Sequence, residues 1–144
     1  MRARAVESAR RRAREVAFRV VYQADVTTDC YAAVWRALRN EEHLSEDQAQ
    51  LVSDLIAHLE AHGAEVDASI TRAAERWSLP RLAATDRSVL RSATAELAAR
   101  PGTPARVVLD EAIDIAKRFG SEASGGFVNG VLDQVARRLR PGEF

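Results

Sequence analysis

One pattern constrains this chain more than any other. Apolar side chains recur at i, i+3, i+4 and i+7 almost from end to end, and no stretch alternates apolar with polar residues at the period of a strand. Residues 4–25 carry Ala9, Ala13, Val16 or Ala17, Val20, Val21 and Ala24 at helical spacing, which predicts a long first helix. Tyr31, Val34, Trp35 and Leu38 mark a second. Ser45 with Gln48 three residues on reads as a capping box opening a third helix, whose buried stripe is Leu51, Val52, Leu55, Ile56 and Leu59. Gly63 marks its end or a sharp kink. A fourth helix places Val66, Ile70, Ala73 and Trp77 toward the core and stops at Ser78-Leu79-Pro80. Thr85 is the expected cap of a fifth, with Val89, Leu90, Ala93 and Leu97 inside. After the turn Pro101-Gly102-Thr103-Pro104, Thr103 caps a sixth and Pro104 takes its first helical position. Val108, Ala112, Ile115 and Phe119 face its core, and Val128, Val131, Leu132, Val135 and Leu139 face that of a seventh. The expectation is an all-α fold of seven helices in a single domain over residues 1–144.

The formal net charge of +0 hides three bands. Residues 1–20 hold seven arginines against two glutamates, a net +5; residues 25–70 hold two arginines against ten acids, a net −8. Residues 71–144 hold twelve bases against nine acids, a net +3. Zero overall charge argues against a general polyanion coat, whereas the first band is a good phosphate-facing patch. Cys30 is the lone cysteine, so no intramolecular disulfide forms and a reducing, cytosolic setting is expected. No apolar run approaches the ~20 residues that span a bilayer.

Lys117–Asp133 stands apart from the plain core helices. Gly120 is placed to stop a helix in the left-handed conformation. Ser121 or Ser124 then caps the next one. Asn129 and Gly130 are poor helix-interior residues, and Gly130 reads as a point where a neighbour approaches closely.

The arginine block is Arg2, Arg4, Arg10, Arg11, Arg12, Arg14 and Arg19. Arg10 and Arg14, four apart, share a helix face. An arginine fork donates two hydrogen bonds to a phosphate and stacks on an unpaired base. The block sits at a helix N-terminus, where cations oppose the macrodipole, so it needs another use. A solvated charged face is the plainer reading, and nucleic-acid binding the sharper one. Tyr22, about 80° round the helix from Arg14 at 3.6 residues per turn, is either a stacking platform or a half-buried aromatic. His58 and His62 have helical metal-pair spacing but no further ligand near in sequence, so a metal site is not expected. No nucleophile–base pair or phosphate loop appears, which argues against an enzyme. Asp86 suits the positive end of its helix, and Arg87 with Arg91 forms an i, i+4 basic pair.

These pieces coincide with a known pattern. Ala9-Arg-Arg-Arg-Ala-Arg-Glu15, Val21-Tyr-Gln-Ala-Asp25, Arg76-Trp-Ser-Leu79, Asp86-Arg-Ser-Val-Leu-Arg91, Asp110-Glu-Ala-Ile-Asp-Ile-Ala-Lys-Arg-Phe-Gly120 and Phe127-Val-Asn-Gly-Val-Leu-Asp133 follow in order over nearly the whole chain. In this it resembles the NusB family of bacterial transcription antitermination factors. The resemblance implies seven helices in two small sub-bundles, no catalysis and no cofactor. It implies binding to single-stranded boxA RNA of nascent ribosomal RNA together with NusE, within an RNA polymerase complex that includes NusA and NusG. It leaves a homodimer open. By position it assigns RNA contact to Arg10, Arg11, Arg12, Arg14, Tyr22, Arg91 and Phe127, and NusE contact to Asp86. Ala123 and Gly126 stand where some members carry an acidic and a basic side chain.

Two alternatives stay open at this stage. One is a helical accessory domain of an RNA cytosine methyltransferase; the chain's end at Phe144 leaves no room for a cofactor-binding fold and argues against it. The other is a protein-interaction bundle that never touches RNA, its acidic 25–70 band facing a basic partner.

Overall fold

In the computed structural model, which describes residues 2–144 with side chains from Arg4 onward, the described residues form six α-helices and two single 3-10 turns. The helices are α1 (Arg2–Thr27), α2 (Tyr31–Arg39), α3 (Glu46–Ala73), α4 (Ala84–Ala99), α5 (Ala105–Phe119) and α6 (Ser124–Leu139). The turns are Leu79–Arg81 and Pro141–Glu143. Helices α1, α2 and α3 pack on one another, as do α4, α5 and α6, and α4 joins the two groups by lying against both α1 and α3. A single apolar cluster runs through all six, from Val16 and Val20 through Leu55 and Leu90 to Leu132.

The count of six corrects the expected seven. Residues 46–73 form one helix bent at His62, where φ is −129° and ψ is 27°. Leu51, Leu55 and Leu59 before the kink and Val66 and Ile70 after it are all buried in the same core, so the kink lets both stripes face inside. Gly63 does not cause this by close packing, since a Cβ there would meet nothing within 4 Å. The second half then ends at Ala73, earlier than expected. Leaving the helix there lets Leu79 and Leu82 reach the core, and it swings Trp77 out to 56% exposure. The expectation of a core Trp77 is therefore overturned. Phe119 and Leu139, expected inside, are also partly exposed, at 41% and 39%.

Caps divide into local and distant ones. Ser45 and Gln48 form the expected box: Ser45 Oγ accepts from Gln48 N at 3.2 Å and Gln48 Oε1 accepts from Ser45 N at 2.9 Å. Gln48 Nε2 also donates to the Ala9 carbonyl at 2.9 Å, which fixes α3 on α1. Neither Thr85 nor Thr103 caps its helix; the cap positions are Ala83 and Pro104, without side-chain bonds. The start of α5 is capped from the far end of the chain, by Glu143 Oε1 accepting from Ala105 N at 2.9 Å. Buried Arg140 closes the same corner, donating to the carbonyls of Leu97, Arg100 and Thr103 at 2.9 Å each.

The α5–α6 corner is tight for a different reason than expected. Gly120 has φ −97° and ψ −161°, an extended conformation. It must be glycine because a Cβ would run into the Ser124 side chain and come within 2.7 Å of the Ala116 carbonyl. Ser124 Oγ accepts from Ser121 N at 2.9 Å and holds the turn. Gly130 faces open space, so it admits no close neighbour. Asn129 beside it is exposed.

Candidate nucleic-acid interface

The arginines of α1 leave the helix in several directions, and each described one from Arg10 to Arg19 meets a carboxylate on another element. Arg10 Nε lies 3.3 Å from Asp47 Oδ2 at the start of α3. Arg11 Nε lies 3.1 Å from Glu111 Oε2 on α5. Arg12 and Arg19 converge on Glu42 in the α2–α3 connection. Arg14 turns inward. It is 4% exposed, and its Nε donates to both oxygens of Glu96 on α4 at 3.0 Å. Burial is the largest influence on this guanidinium and would lower its pKa, but Glu96, Glu7 and Glu111 outweigh it and hold the pKa above the ordinary arginine value. Arg14 thus offers no guanidinium to solvent. The Arg2 side chain lies outside the described residues.

Arg91 and Arg87 are committed in the same way. Arg91 is bonded to Asp67 at 2.9 and 3.1 Å and to Asp25 at 3.1 Å. Arg87 holds Asp25 at 2.6 Å and donates to the Leu79 and Leu82 carbonyls at 3.1 and 2.8 Å. Burial would raise the Asp25 pKa, but the two arginines overcome that and hold its carboxyl below the usual aspartate range. This cluster braces the end of α1 against the 3-10 turn and the first turns of α4. Both guanidiniums are thus engaged within the fold, their side chains 15% exposed.

A seam leads from the arginines to a second region. Helices α1 and α5 run side by side, with Arg11 on Glu111, Arg118 Nη1 3.2 Å from Glu15 Oε1, and the Phe18 ring 5.3 Å from Phe119. Tyr22, 38% exposed, continues the aromatic row 6.2 Å from Phe18, and the Arg118 guanidinium lies over Phe119 at 5.2 Å. Past Phe119 the chain turns through Gly120 to Ala123 and reaches Phe127, one turn into α6.

There Phe127 meets Trp77 edge to face, with ring centroids 6.0 Å apart and planes at 77°. Trp77, Phe127, Arg81, Leu82, Ala83, Asp86 and Ala123 line a cleft of about 200 Å³. Trp77 also walls the neighbouring groove with Arg76, Glu75 and Ser78. Arg76 and Arg81 are exposed, and no ion pair involving either occurs among the described residues. Asp86 sits in the first turn of α4 with Oδ1 buried and without a hydrogen-bond partner. The residue assigned to NusE contact and the Phe127 assigned to RNA thus border the same cleft. From the sequence, Trp77 is a weaker stacking candidate than Tyr22 with the core as its default, and Arg76 and Arg81 are not candidates. A signal was present, in the Arg76-Trp-Ser-Leu79 segment placed just before Pro80, but helical spacing drew Trp77 inside.

Among the described residues no group of three or more His, Cys, Asp or Glu side chains is placed to hold a metal ion. His58 and His62 stack with centroids 4.9 Å apart beside the α3 bend. Burial, then the neighbouring His62, lowers the His58 pKa. Among the described residues no helix is long and apolar enough to cross a membrane.

The model of the NusB family matches residues 11–137. The chain belongs to the NusB family. It is 41% identical over 138 residues to the transcription antitermination protein NusB of Anaeromyxobacter dehalogenans strain 2CP-1, covering 93% of this chain and 94% of that one. Among solved structures, T. maritima NusB aligns with a TM-score of 0.80 at 37% identity over 89% of this chain and 90% of that chain. NusB from a complex of the antitermination factors NusB and NusE with double-stranded RNA aligns with a TM-score of 0.78 at 28% identity, over 91% and 98%. The bent α3, the α5–α6 corner and the Trp77 cleft all lie within the span that matches NusB.

Proposed function

We propose that this protein is a transcription antitermination factor that binds unpaired boxA RNA of nascent ribosomal RNA together with NusE, and that it works by binding alone. The observation that carries the RNA reading is the Trp77–Phe127 pair, an exposed indole set edge-on to a phenyl ring and flanked by Arg76 and Arg81. Bases of a single strand stack on such rings, and unpaired guanidiniums take the adjoining phosphates. From there the strand follows Phe127 and Tyr22 along the α1–α5 seam toward Arg11, Arg12 and Arg10. Arg14 and Arg91 serve that path from beneath, by holding α1 and α4 in place. Asp86 contributes an acidic edge for NusE where the cleft meets α4. The assembly with RNA polymerase, NusA and NusG, and a homodimer that covers the arginine face, belong to the same proposal, as does a cytoplasmic location.

The reading of a bundle that binds only protein keeps half of its acidic band. Asp25, Glu42, Asp47, Asp54 and Asp67 of the acidic band are paired with this chain's own arginines. A gel shift with boxA RNA, with and without NusE, tests the proposal. A shift by the protein alone that strengthens with NusE is expected; no shift in either lane contradicts it.

A further inference from the structure

Arg12 and Arg19 lie seven residues apart on α1, two turns along one face, and they reach for the same group. Arg12 Nη2 donates to the Glu42 carbonyl at 2.6 Å and lies 3.4 Å from Glu42 Oε2. Arg19 Nη1 lies 2.6 Å from Glu42 Oε1. The Glu42 side chain is 15% exposed between them, whereas the two arginines are 52% and 46% exposed. Asp47 and Glu111 each hold one arginine of α1, whereas Glu42 draws two; the other carboxylate that two guanidiniums share, Asp25, holds side chains only 15% exposed, and the Glu42 pair alone leaves its arginines about half exposed. Convergent guanidiniums on a single oxyanion are the arrangement that holds a phosphate.

We propose that Arg12 and Arg19 form a phosphate site for an RNA backbone, and that Glu42 is its internal competitor. The inference rests on the RNA-binding reading and adds a residue, Arg19, and a restraint, Glu42, to it. The exchange requires no unfolding. The Glu42 backbone is held by its own N–H to the Leu38 carbonyl at 3.2 Å and by the Arg12 bond to its carbonyl. Only the carboxylate must swing away, and a phosphate then takes both forks. Until it does, Glu42 repels the RNA and occupies its donors, so the face answers only to a strand held firmly elsewhere along the path.

The test uses the full chain and a fluorescein-labelled boxA RNA, with binding read by anisotropy across a salt series and folding checked by circular dichroism melts. Glu42→Gln keeps the shape and removes the charge. It is expected to bind severalfold tighter than wild type. Its slope of log affinity against log salt should be steeper by about 0.7, the increment for one more phosphate on a single strand. Arg19→Ala is expected to bind more weakly with a flatter slope, and adding it to Glu42→Gln should cancel the gain. Wild-type binding with no gain in Glu42→Gln overturns this inference and leaves the RNA reading standing. No binding by any of the four proteins overturns both.

Discussion

The arginine face of α1 and the Trp77–Phe127 cleft invert one another. The first is dense with charge in the sequence, yet Arg10, Arg11, Arg12, Arg14 and Arg19 each meet a carboxylate from α3, α5, the α2–α3 connection or α4. The second has only Arg76 and Arg81, and both remain outside any ion pair among the described residues. A run of like charge in a sequence therefore overstates the field it presents once folded. Arg10, Arg12 and Arg19 take their counter-ions from the acidic band, at Asp47 and Glu42, and Arg11 and Arg14 take theirs from Glu111 and Glu96. Most of these pairs are exposed and worth ~0–1 kcal/mol each, so they add little stability. Their consequence is for binding: a phosphate arriving at α1 must displace a carboxylate, and one arriving at Arg76 or Arg81 need not.

The largest expected effect separates the interior arginine from the surface ones. Glu96→Ala leaves the buried Arg14 charge without its partner, and the loss is about 3–5 kcal/mol in urea unfolding. A loss below about 1 kcal/mol would return Arg14 to the surface set. Next, Trp77→Ala removes a stacking platform and is expected to weaken boxA RNA binding by about 1–3 kcal/mol without shifting the unfolding midpoint. Unchanged affinity with an unchanged fold would remove the cleft from the RNA path. Arg10→Ala with Arg11→Ala is expected to cost less affinity than Trp77→Ala, since both side chains are already engaged. A larger cost would reverse the ranking of the two regions.

The smallest expected effect concerns the brace between them. Asp25 has a folded pKa below its unfolded value of about 3.9, so its contribution is fully present above that value and is lost as pH falls through the folded pKa. Urea midpoints of wild type and Asp25→Asn should converge as pH drops from about 5 toward 2. A gap that stays constant over that range would show that the arginines do not hold this carboxylate.

Much of the fold was legible from local signals. The Ser45–Gln48 box, the Leu51–Leu59 stripe and the long first helix depend on residues within one or two turns of each other, and all stand as expected. What was missed depends on distant arrivals. Helical spacing put Trp77 on a buried face, but the chain leaves that helix at Ala73 so that Leu79 and Leu82 can be buried instead. Spacing also put Arg14 on one face with Arg10, and could not show Glu96 arriving from 82 residues away. The cap on α5 comes from Glu143, 38 residues on. Tyr22 and Phe127 are site candidates already in the sequence, and the fold leaves Tyr22 38% exposed and Phe127 partly buried against Trp77, positions that no distant carboxylate alters.

The ranking of the two regions can be read from one residue. Trp35 is 6% exposed and donates to Ser53 Oγ at 3.0 Å, so a Trp35→Phe variant leaves Trp77 as the sole indole. Titrating that variant with boxA RNA while following indole emission, with a labelled strand reporting binding in parallel, tests the cleft directly. Trp77 emission is expected to be quenched over the same RNA concentrations at which the strand binds. Binding with Trp77 emission unchanged would contradict this expectation.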